Sequence, residues 1–508
     1  MKKGFARVYS AQPHELRGAI VTVEVDLSRG LHAFSIVGLG DKAVEEARDR
    51  VGSALKHADA PSPKHSNEKT VVSLSPADMK KQGAYFDLAI AIGYLAAKGE
   101  IRHPEDTTLF VAALSLDGQL RPVAGMAAIA MAARAAGYAT LITAPANADE
   151  ASVVAGLTIL PANTLADVIQ CFHLDSATIL PVHAPSSEHT QLEPPGICFS
   201  EIKGQAEAKR ALVIAAAGGH NVLMFGPPGT GKSMLAKALT GILPPLSDEE
   251  ALEVLAIHSI SGAPFAGPII QRPIQSPHHT SSYTAIVGGG QNPRPGALTL
   301  AHHGVLFLDE LPEFDRRVLE SLRQPLEDRV VHIARARGRV TFPANIMLVA
   351  AMNPPDPNAT PADIRRHERK LSGPISDRID LWTQVEHIDY ETLTNTDPDG
   401  ATSLDLRQII VAAREQQIRR GKTLDAAPTN AALSAKHIDQ LAITPAAKQL
   451  LMQSATNLKL SPRSYHRVMK VAQTIADLSG HEIIDTPEIL EALTFRNKKS
   501  ASVAPYQL

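Results

Sequence analysis

Eight consecutive residues, Gly226-Pro227-Pro228-Gly229-Thr230-Gly231-Lys232-Ser233, constrain this chain more than anything else in it. They fit G-x-x-x-x-G-K-[ST]. An apolar run at 221–225 precedes them and reads as a strand, and 233–243 reads as a helix. That order predicts an α/β core in which the loop's backbone N–H groups and the helix N-terminus face a phosphate chain. All eight residues are therefore candidates for holding a nucleoside triphosphate. Lys232 is expected to reach the β- and γ-phosphates, and the Ser233 hydroxyl to ligate Mg²⁺. A chance glycine-rich turn would lack the flanking strand and helix and the Lys-Ser pair.

A second motif implies that the nucleotide is consumed. Val305-Leu306-Phe307-Leu308-Asp309-Glu310 reads as a buried strand ending in two carboxylates. Asp309 is placed to hold Mg²⁺ through water, and Glu310 to polarise an attacking water, the positioning that phosphoryl transfer needs. Adjacent carboxylates usually mark a solvated turn. Four apolar residues before them, downstream of a phosphate loop, favour the catalytic reading.

At 508 residues the chain exceeds one ordinary core, so two or three domains are expected. A net charge of −3 means that any nucleic-acid binding must come from a local basic surface. Cys171 and Cys198 fit no metal spacing, which points to a reducing compartment. Residues 1–10 carry two lysines without a following apolar stretch, so no signal peptide is expected. The longest apolar run, 88–97, is ten residues and cannot span a bilayer. A cytoplasmic protein without membrane attachment is expected.

Residues 1–175 read as an α/β domain. Val21, Val23 and Val25 alternate with Thr22, Glu24 and Asp26 as in a half-buried strand, and Asp41 can cap a helix whose apolar face is Val44, Ala47, Val51 and Leu55. Strands at 70–74 and 109–116 alternate with helices at 88–97 and 126–136. The Pro-, Ser- and His-rich stretch 176–196 reads as a linker. The nucleotide domain follows over 197–390, then a polar linker at 391–403 and a helical part at 404–508. There Thr444-Pro445, Ser461-Pro462 and Thr486-Pro487 each predict an N-cap followed by proline at the first helical position, with Gly480 stopping the second helix. A small helical lid after an α/β nucleotide core is the layout of AAA+ ATPases.

The residues from 197 onward resemble the magnesium-chelatase-related branch of AAA+ proteins, and most closely the ComM/YifB family. The run from Arg272 to Pro277, His278-His279-Thr280, Gly288-Gly289-Gly290, Pro293-Arg294-Pro295-Gly296 and Leu311-Pro312-Glu313-Phe314 carry the match, which extends over nearly the whole chain. The resemblance implies three further groups that sense the γ-phosphate. Asn353, ending a strand at 346–352, resembles sensor 1. Arg378, in Ser376-Asp377-Arg378-Ile379-Asp380, resembles an arginine finger given to a neighbouring subunit. Arg463, opening a lid helix, resembles sensor 2. A lone arginine is more often half of a surface ion pair, and it is the order of all these groups along the chain that favours the functional reading. A trans-acting finger implies a ring, expected to be a homo-hexamer.

Two insertions are expected to face the ring's centre. Residues 258–300 resemble the helix-2 insert of this branch. Residues 330–343 read as a hairpin with strands at 331–336 and 339–342 and a turn at Arg337-Gly338. Its Arg335, Arg337 and Arg339 would grip DNA phosphates without reading sequence, or lie on a solvated hairpin, or pair with acids of the next subunit. The basic stretch Arg365-Arg366-His367-Glu368-Arg369-Lys370 reads equally as a pore helix or a solvated face.

Residues 120–137 resemble the Lon-type proteolytic domain, which implies a ribosomal S5-like fold. Pro122-Val123-Ala124-Gly125-Met126 aligns with the stretch bearing that family's catalytic lysine, whose position is held here by Ala127. Lys81-Gln82-Gly83-Ala84-Tyr85 aligns with the serine loop and puts Tyr85 at the nucleophile. A Ser-Lys dyad needs both groups, so no peptidase activity is expected. Many relatives carry a cysteine cluster after sensor 1. This chain has Pro354-Pro355-Asp356-Pro357-Asn358 there, so no zinc is expected.

The resemblance implies a hexameric DNA helicase that uses ATP and Mg²⁺ to drive branch migration during recombination of incoming DNA. Aromatic content of 4% argues against an extensive base-stacking platform and for backbone tracking. Two other readings remain open. One is a chelatase-type motor that inserts a metal into a porphyrin, and the other is an ATP-controlled scaffold or chaperone.

Overall fold

The computed structural model describes residues 4–63, 68–174, 178–184, 197–263, 265, 267, 271–290, 293–335, 338–355, 373–389 and 400–496. These form two compact units, one of Met1–Gln191 with Asp248–Ile269 and the other of Leu192–Ser247 with Ile270–Leu508.

The first unit is built on β1 (Phe5–His14), β2 (Arg17–Arg29), β3 (Ala33–Val37), α1 (Lys42–His57), β4 (Glu68–Ser75), α2 (Asp87–Lys98), β5 (Thr108–Val111), α3 (Met126–Ala135), β6 (Thr140–Thr143), α4 (Pro145–Ser152), β7 (Thr158–Pro161) and α5 (Leu165–Cys171). Its seven strands lie in the order β3-β4-β2-β1-β5-β6-β7. The β1–β2 and β2–β4 pairs are antiparallel and the others parallel. Val21, Val23 and Val25 of β2 are fully buried, as their alternation predicts. Asp41 accepts a hydrogen bond from the Val44 amide at 3.0 Å and caps α1, worth about 1 kcal/mol. The ten-residue apolar run is α2, a core helix buried on nearly every side and stopped by Gly99 in the left-handed conformation. Two carboxylates brace this unit. Asp87, fully buried, takes the Arg50 guanidinium at 2.7 and 3.0 Å and the Leu114 amide at 3.2 Å. Glu150 of α4 accepts the Ala127 amide at 2.8 Å.

The second unit opens with α6 (Ala206–Gly218), β8 (Val222–Phe225) and α7 (Lys232–Ile242). The chain then returns to the first unit. Helix α8 (Asp248–Ser261), expected to stay with the nucleotide domain, packs on α3, with Leu252 against the α3 cluster and the Ser259 hydroxyl on Glu150. Back in the second unit come β9 (Ile274–Gln275), β10 (Val305–Leu308), α9 (Arg316–Ser321), α10 (Pro325–Asp328), β11 (Val330–Arg335), β12 (Gly338–Pro343), β13 (Met347–Met352) and β14 (Leu381–Gln384). The wholly parallel sheet runs β9-β10-β13-β8-β14. The three central strands, β10, β13 and β8, are continuous apolar runs because both faces are covered.

The hairpin β11–β12 is antiparallel with Val330 opposite Pro343 and Arg335 opposite Gly338. The second strand therefore starts one residue earlier than the sequence predicts, because Gly338 belongs to the ladder. Arg337 lies outside the described residues, as do the side chains of Arg335 and Arg339. The same holds for 356–358, for the basic stretch 365–370, and for most of the two expected linkers.

The longer helices of the described C-terminal part are α11 (Ser403–Leu424), α12 (Pro445–Asn457), α13 (Pro462–Leu478) and α14 (Thr486–Thr494). Thr444 and Ser461 cap α12 and α13 with proline next, as expected, and Gly480 follows α13 at φ +76°. The third cap is different. Asp485 takes that place in a reciprocal pair with Glu488, so Thr486 is already helical. These helices share one core with the sheet through Ile410, Ala413, Val468, Ala472 and Ile475.

Candidate nucleotide site and arginine cluster

Three neighbouring parallel strands deliver the candidate residues to one edge, the carboxyl end where such sheets bind ligands. Gly226 follows β8, Asp309-Glu310 follow β10, and Asn353 follows β13, which lies between them. The Gly226 amide donates to the Met352 carbonyl at 3.1 Å, so the loop starts as a continuation of the ladder. Gly226 has no room for a side chain, since a Cβ there would lie 1.9 Å from the Val385 carbonyl oxygen. Gly229 and Gly231 take φ of +79° and +91°, which reverses the chain into α7.

Within the loop, the buried Lys232 ammonium donates to the carbonyls of Gly226 at 2.8 Å and Pro227 at 2.6 Å. Burial pulls its pKa below the ordinary lysine value, while Asp309 acts the other way. Thr230 turns inward, its hydroxyl on the Pro227 carbonyl at 2.9 Å. Gln205, itself at φ +58°, donates to the Glu386 carbonyl at 2.7 Å and the Thr230 carbonyl at 3.4 Å, tying the loop to the chain after β14.

The Ser233 hydroxyl donates to Asp309 Oδ2 at 2.7 Å, and Asp309 Oδ1 accepts the Glu310 amide at 2.9 Å. Two hard oxygen donors from different elements are thus already adjacent, a donor set that suits Mg²⁺. Glu310 sits at φ +51°, a conformation that costs a non-glycine residue on the order of 1 kcal/mol. Its carboxylate is turned to His279, whose Nδ1 lies 3.2 Å from Oε2. His279 stacks on His278 with ring centroids 4.1 Å apart and meets Phe314 edge-on. Nothing local in the sequence around His278-His279 signals this pairing.

The two candidate arginines come together elsewhere in the same unit. Arg378 is 8% exposed and its guanidinium reaches Glu327 Oε2 at 2.6 Å and, through Nε, the Arg323 carbonyl at 2.8 Å. Arg463, in the first turn of α13, holds the other oxygen of the same Glu327 carboxylate. Nearby, Arg467 faces Asp380 at 3.4 Å, and burial draws its pKa below the usual arginine range. Glu327, unnoticed in the sequence, is thus the common partner of both. Arg378, Glu327, Arg323, Tyr283, Val331 and His332 line a cavity of about 380 Å³.

Three family descriptions match this chain in order. "Subunit ChlI of Mg-chelatase" covers residues 23–147, "Magnesium chelatase, subunit ChlI" 198–393, and "Magnesium chelatase, subunit ChlI C-terminal" 400–496. Competence protein ComM of Haemophilus influenzae is 42% identical over 97% of both chains. The chain belongs to the ComM/YifB family of magnesium-chelatase-related proteins. The uncharacterized protein YifB of Escherichia coli is 40% identical over 94% of both chains. The 38 kDa magnesium-chelatase subunit of Cereibacter sphaeroides is 27% identical over 42% of this chain and 71% of its own. The family is one of AAA+ ATPases, in keeping with the parallel core and helical C-terminal region, and it implies use of ATP and Mg²⁺. No described helix is long and apolar enough to cross a membrane.

Proposed function

We propose that this protein is an ATP-hydrolysing ring motor on DNA, a homo-hexameric branch-migration helicase acting in recombination during natural transformation. The observation that carries the proposal is end-to-end similarity to a protein named for competence, joined to a phosphate loop facing a paired carboxylate. Lys232 and the loop amides would hold the phosphates, and Ser233 and Asp309 would hold Mg²⁺, which neutralises developing phosphate charge when bound. Glu310 orients the attacking water once it leaves His279, and Asn353 stands beside it. Arg378 acts on the neighbouring subunit's nucleotide, and Arg463 contacts the γ-phosphate in a closed state.

The β11–β12 hairpin, whose sequence carries Arg335, Arg337 and Arg339, is the proposed phosphate-tracking element on DNA. Such contacts carry affinity but no sequence readout. The first unit, with Ala127 and Tyr85 where a protease dyad would stand, is given a structural or DNA-contacting role on an S5-like fold.

ATP-dependent movement of a Holliday junction or three-strand branch, with Lys232→Ala as control, tests the proposal. Movement by the intact protein alone supports it. ATPase activity indifferent to every DNA, with no branch movement, would refute it. The match to a magnesium-chelatase subunit over 42% of the chain favours the chelatase-type motor as second reading.

A further inference from the structure

We propose that Glu327 is a positioning residue: it withholds Arg378 and Arg463 from nucleotide in the resting subunit, and displacement of the β11–β12 hairpin releases them. This rests on the reading of the two arginines as γ-phosphate sensors and of the hairpin as the DNA-tracking element.

One carboxylate serves two guanidinium groups, with Oε2 on Arg378 and Oε1 on Arg463. The two pairings differ in kind. Arg378 is buried and doubly held, through Glu327 and through the Arg323 carbonyl. The Arg463 and Glu327 side chains are 52% and 41% exposed, so their ion pair is screened and contributes at most about 1 kcal/mol. The carboxylate is thus shared between one buried guanidinium and one exposed guanidinium. This arrangement is strong enough to set a resting position and weak enough to yield to a polyphosphate.

The link to the hairpin is covalent and short. Glu327 belongs to the four-residue helix α10, and the strand β11 begins at Val330. Between them, Arg329 turns the chain at φ +58°, and its carbonyl accepts the Ala344 amide at 2.8 Å, which closes the base of the hairpin. Its guanidinium is fixed on Asn345 Oδ1 at 2.5 Å. Both hairpin strands are therefore fastened at a point two residues from Glu327. The ladder pairs Val330–Arg335 with Gly338–Pro343 along their length, so a pull on either strand is carried to this base. A shift of about 1 Å takes a 2.6 Å pairing beyond hydrogen-bond range. Val331 and His332 line the same cavity as Glu327 and Arg378, so the start of the strand faces the arginine cluster.

The test compares ATP hydrolysis by the full-length protein, Glu327→Gln and Glu327→Asp, each with and without branched DNA. Thermal unfolding is followed in parallel. In Glu327→Gln the DNA-independent rate should rise several-fold toward the stimulated rate, and the stimulation ratio should fall toward one. Glu327→Asp keeps the charge on a side chain too short to hold both arginines, and should fall in between. It also serves if the glutamine variant folds poorly. A variant with unchanged basal rate and unchanged stimulation overturns the inference, as does a proportional loss of both rates with a lower unfolding midpoint. If DNA fails to stimulate even the unaltered protein, the DNA reading falls. The gate then stands or falls on whether Glu327→Gln raises the basal rate.

Discussion

Gly226→Ala isolates the geometry of the phosphate loop from its chemistry, because it removes no functional group. An added Cβ would lie 1.9 Å from the Val385 carbonyl oxygen, and relief to an ordinary 3.4 Å contact needs 1.5 Å of movement. No rotamer can provide it, since the backbone fixes the positions of both the Cβ and the carbonyl oxygen. The adjacent hydrogen bond from the Val385 amide to the Phe225 carbonyl, 2.8 Å long, must stretch or break. Overpacking of this kind costs about 1–3 kcal/mol, and the strained backbone pair about 1 kcal/mol more. Together they give about 2–4 kcal/mol, a large share of a typical domain's stability. The loop starts at this residue, so the Lys232 ammonium shifts with it. A 1 Å misplacement alone is enough for about a hundredfold loss of rate. Guanidinium unfolding followed by circular dichroism and titration with a fluorescent ATP analogue measure the two effects. Gly229→Ala is the control, since its Cβ would meet nothing within 4 Å and only its φ of +79° is penalised. That should cost about 1 kcal/mol. Gly226→Ala with an unchanged denaturation midpoint and ATP affinity within twofold would refute the steric argument.

Three further outcomes are expected. Glu310→Gln should bind ATP and fail to hydrolyse it, which a filter-binding assay with labelled nucleotide reads directly; multiple turnover would remove Glu310 from the chemistry. Glu310→Gly should be equally inactive yet about 1 kcal/mol more stable, because the left-handed backbone no longer carries a Cβ; a destabilised variant would count against stored strain. For Cys198, burial raises the thiol pKa, but hydrogen bonds from the Ser200 hydroxyl and Ser403 amide more than offset it and bring it down to about 7. The folded state therefore holds the Cys198 proton less tightly than the unfolded state, and its iodoacetamide reactivity should rise through about pH 7. Burial moves Cys171 the other way, so equal labelling of both cysteines at neutral pH would refute this.

What the sequence reveals here follows distance along the chain. The strand into Gly226, the carboxylates ending β10, and the caps at Asp41, Thr444 and Ser461 are legible because each signal lies within a few residues of its effect. The cap of α14 lies one residue before the one its Thr-Pro signal predicts, because Asp485 and Thr486 are both good capping residues and only the reciprocal bond with Glu488 decides between them. The second hairpin strand starts one residue early for a similar reason, Gly338 serving a strand as well as a turn. The pairing of His279 with Glu310, and of Arg463 with a glutamate 136 residues away, leaves no local trace. Ion pairs of this kind are fixed by which loops the sheet brings together. The placement of α8 is the clearest case. Val254-Leu255-Ala256-Ile257 says that the helix is buried, and nothing in the run says in which unit.

That placement matters while the chain is being made. The first unit is incomplete when residue 191 leaves the ribosome, because the helix that covers α3 ends only at Ser261. At ordinary translation speed the intervening stretch takes on the order of ten seconds. During that time the α3 face is uncovered, while β8 and α7 emerge with their own apolar surfaces exposed. The two units thus mature together instead of in sequence, and a stop or cut anywhere between them leaves both unfinished.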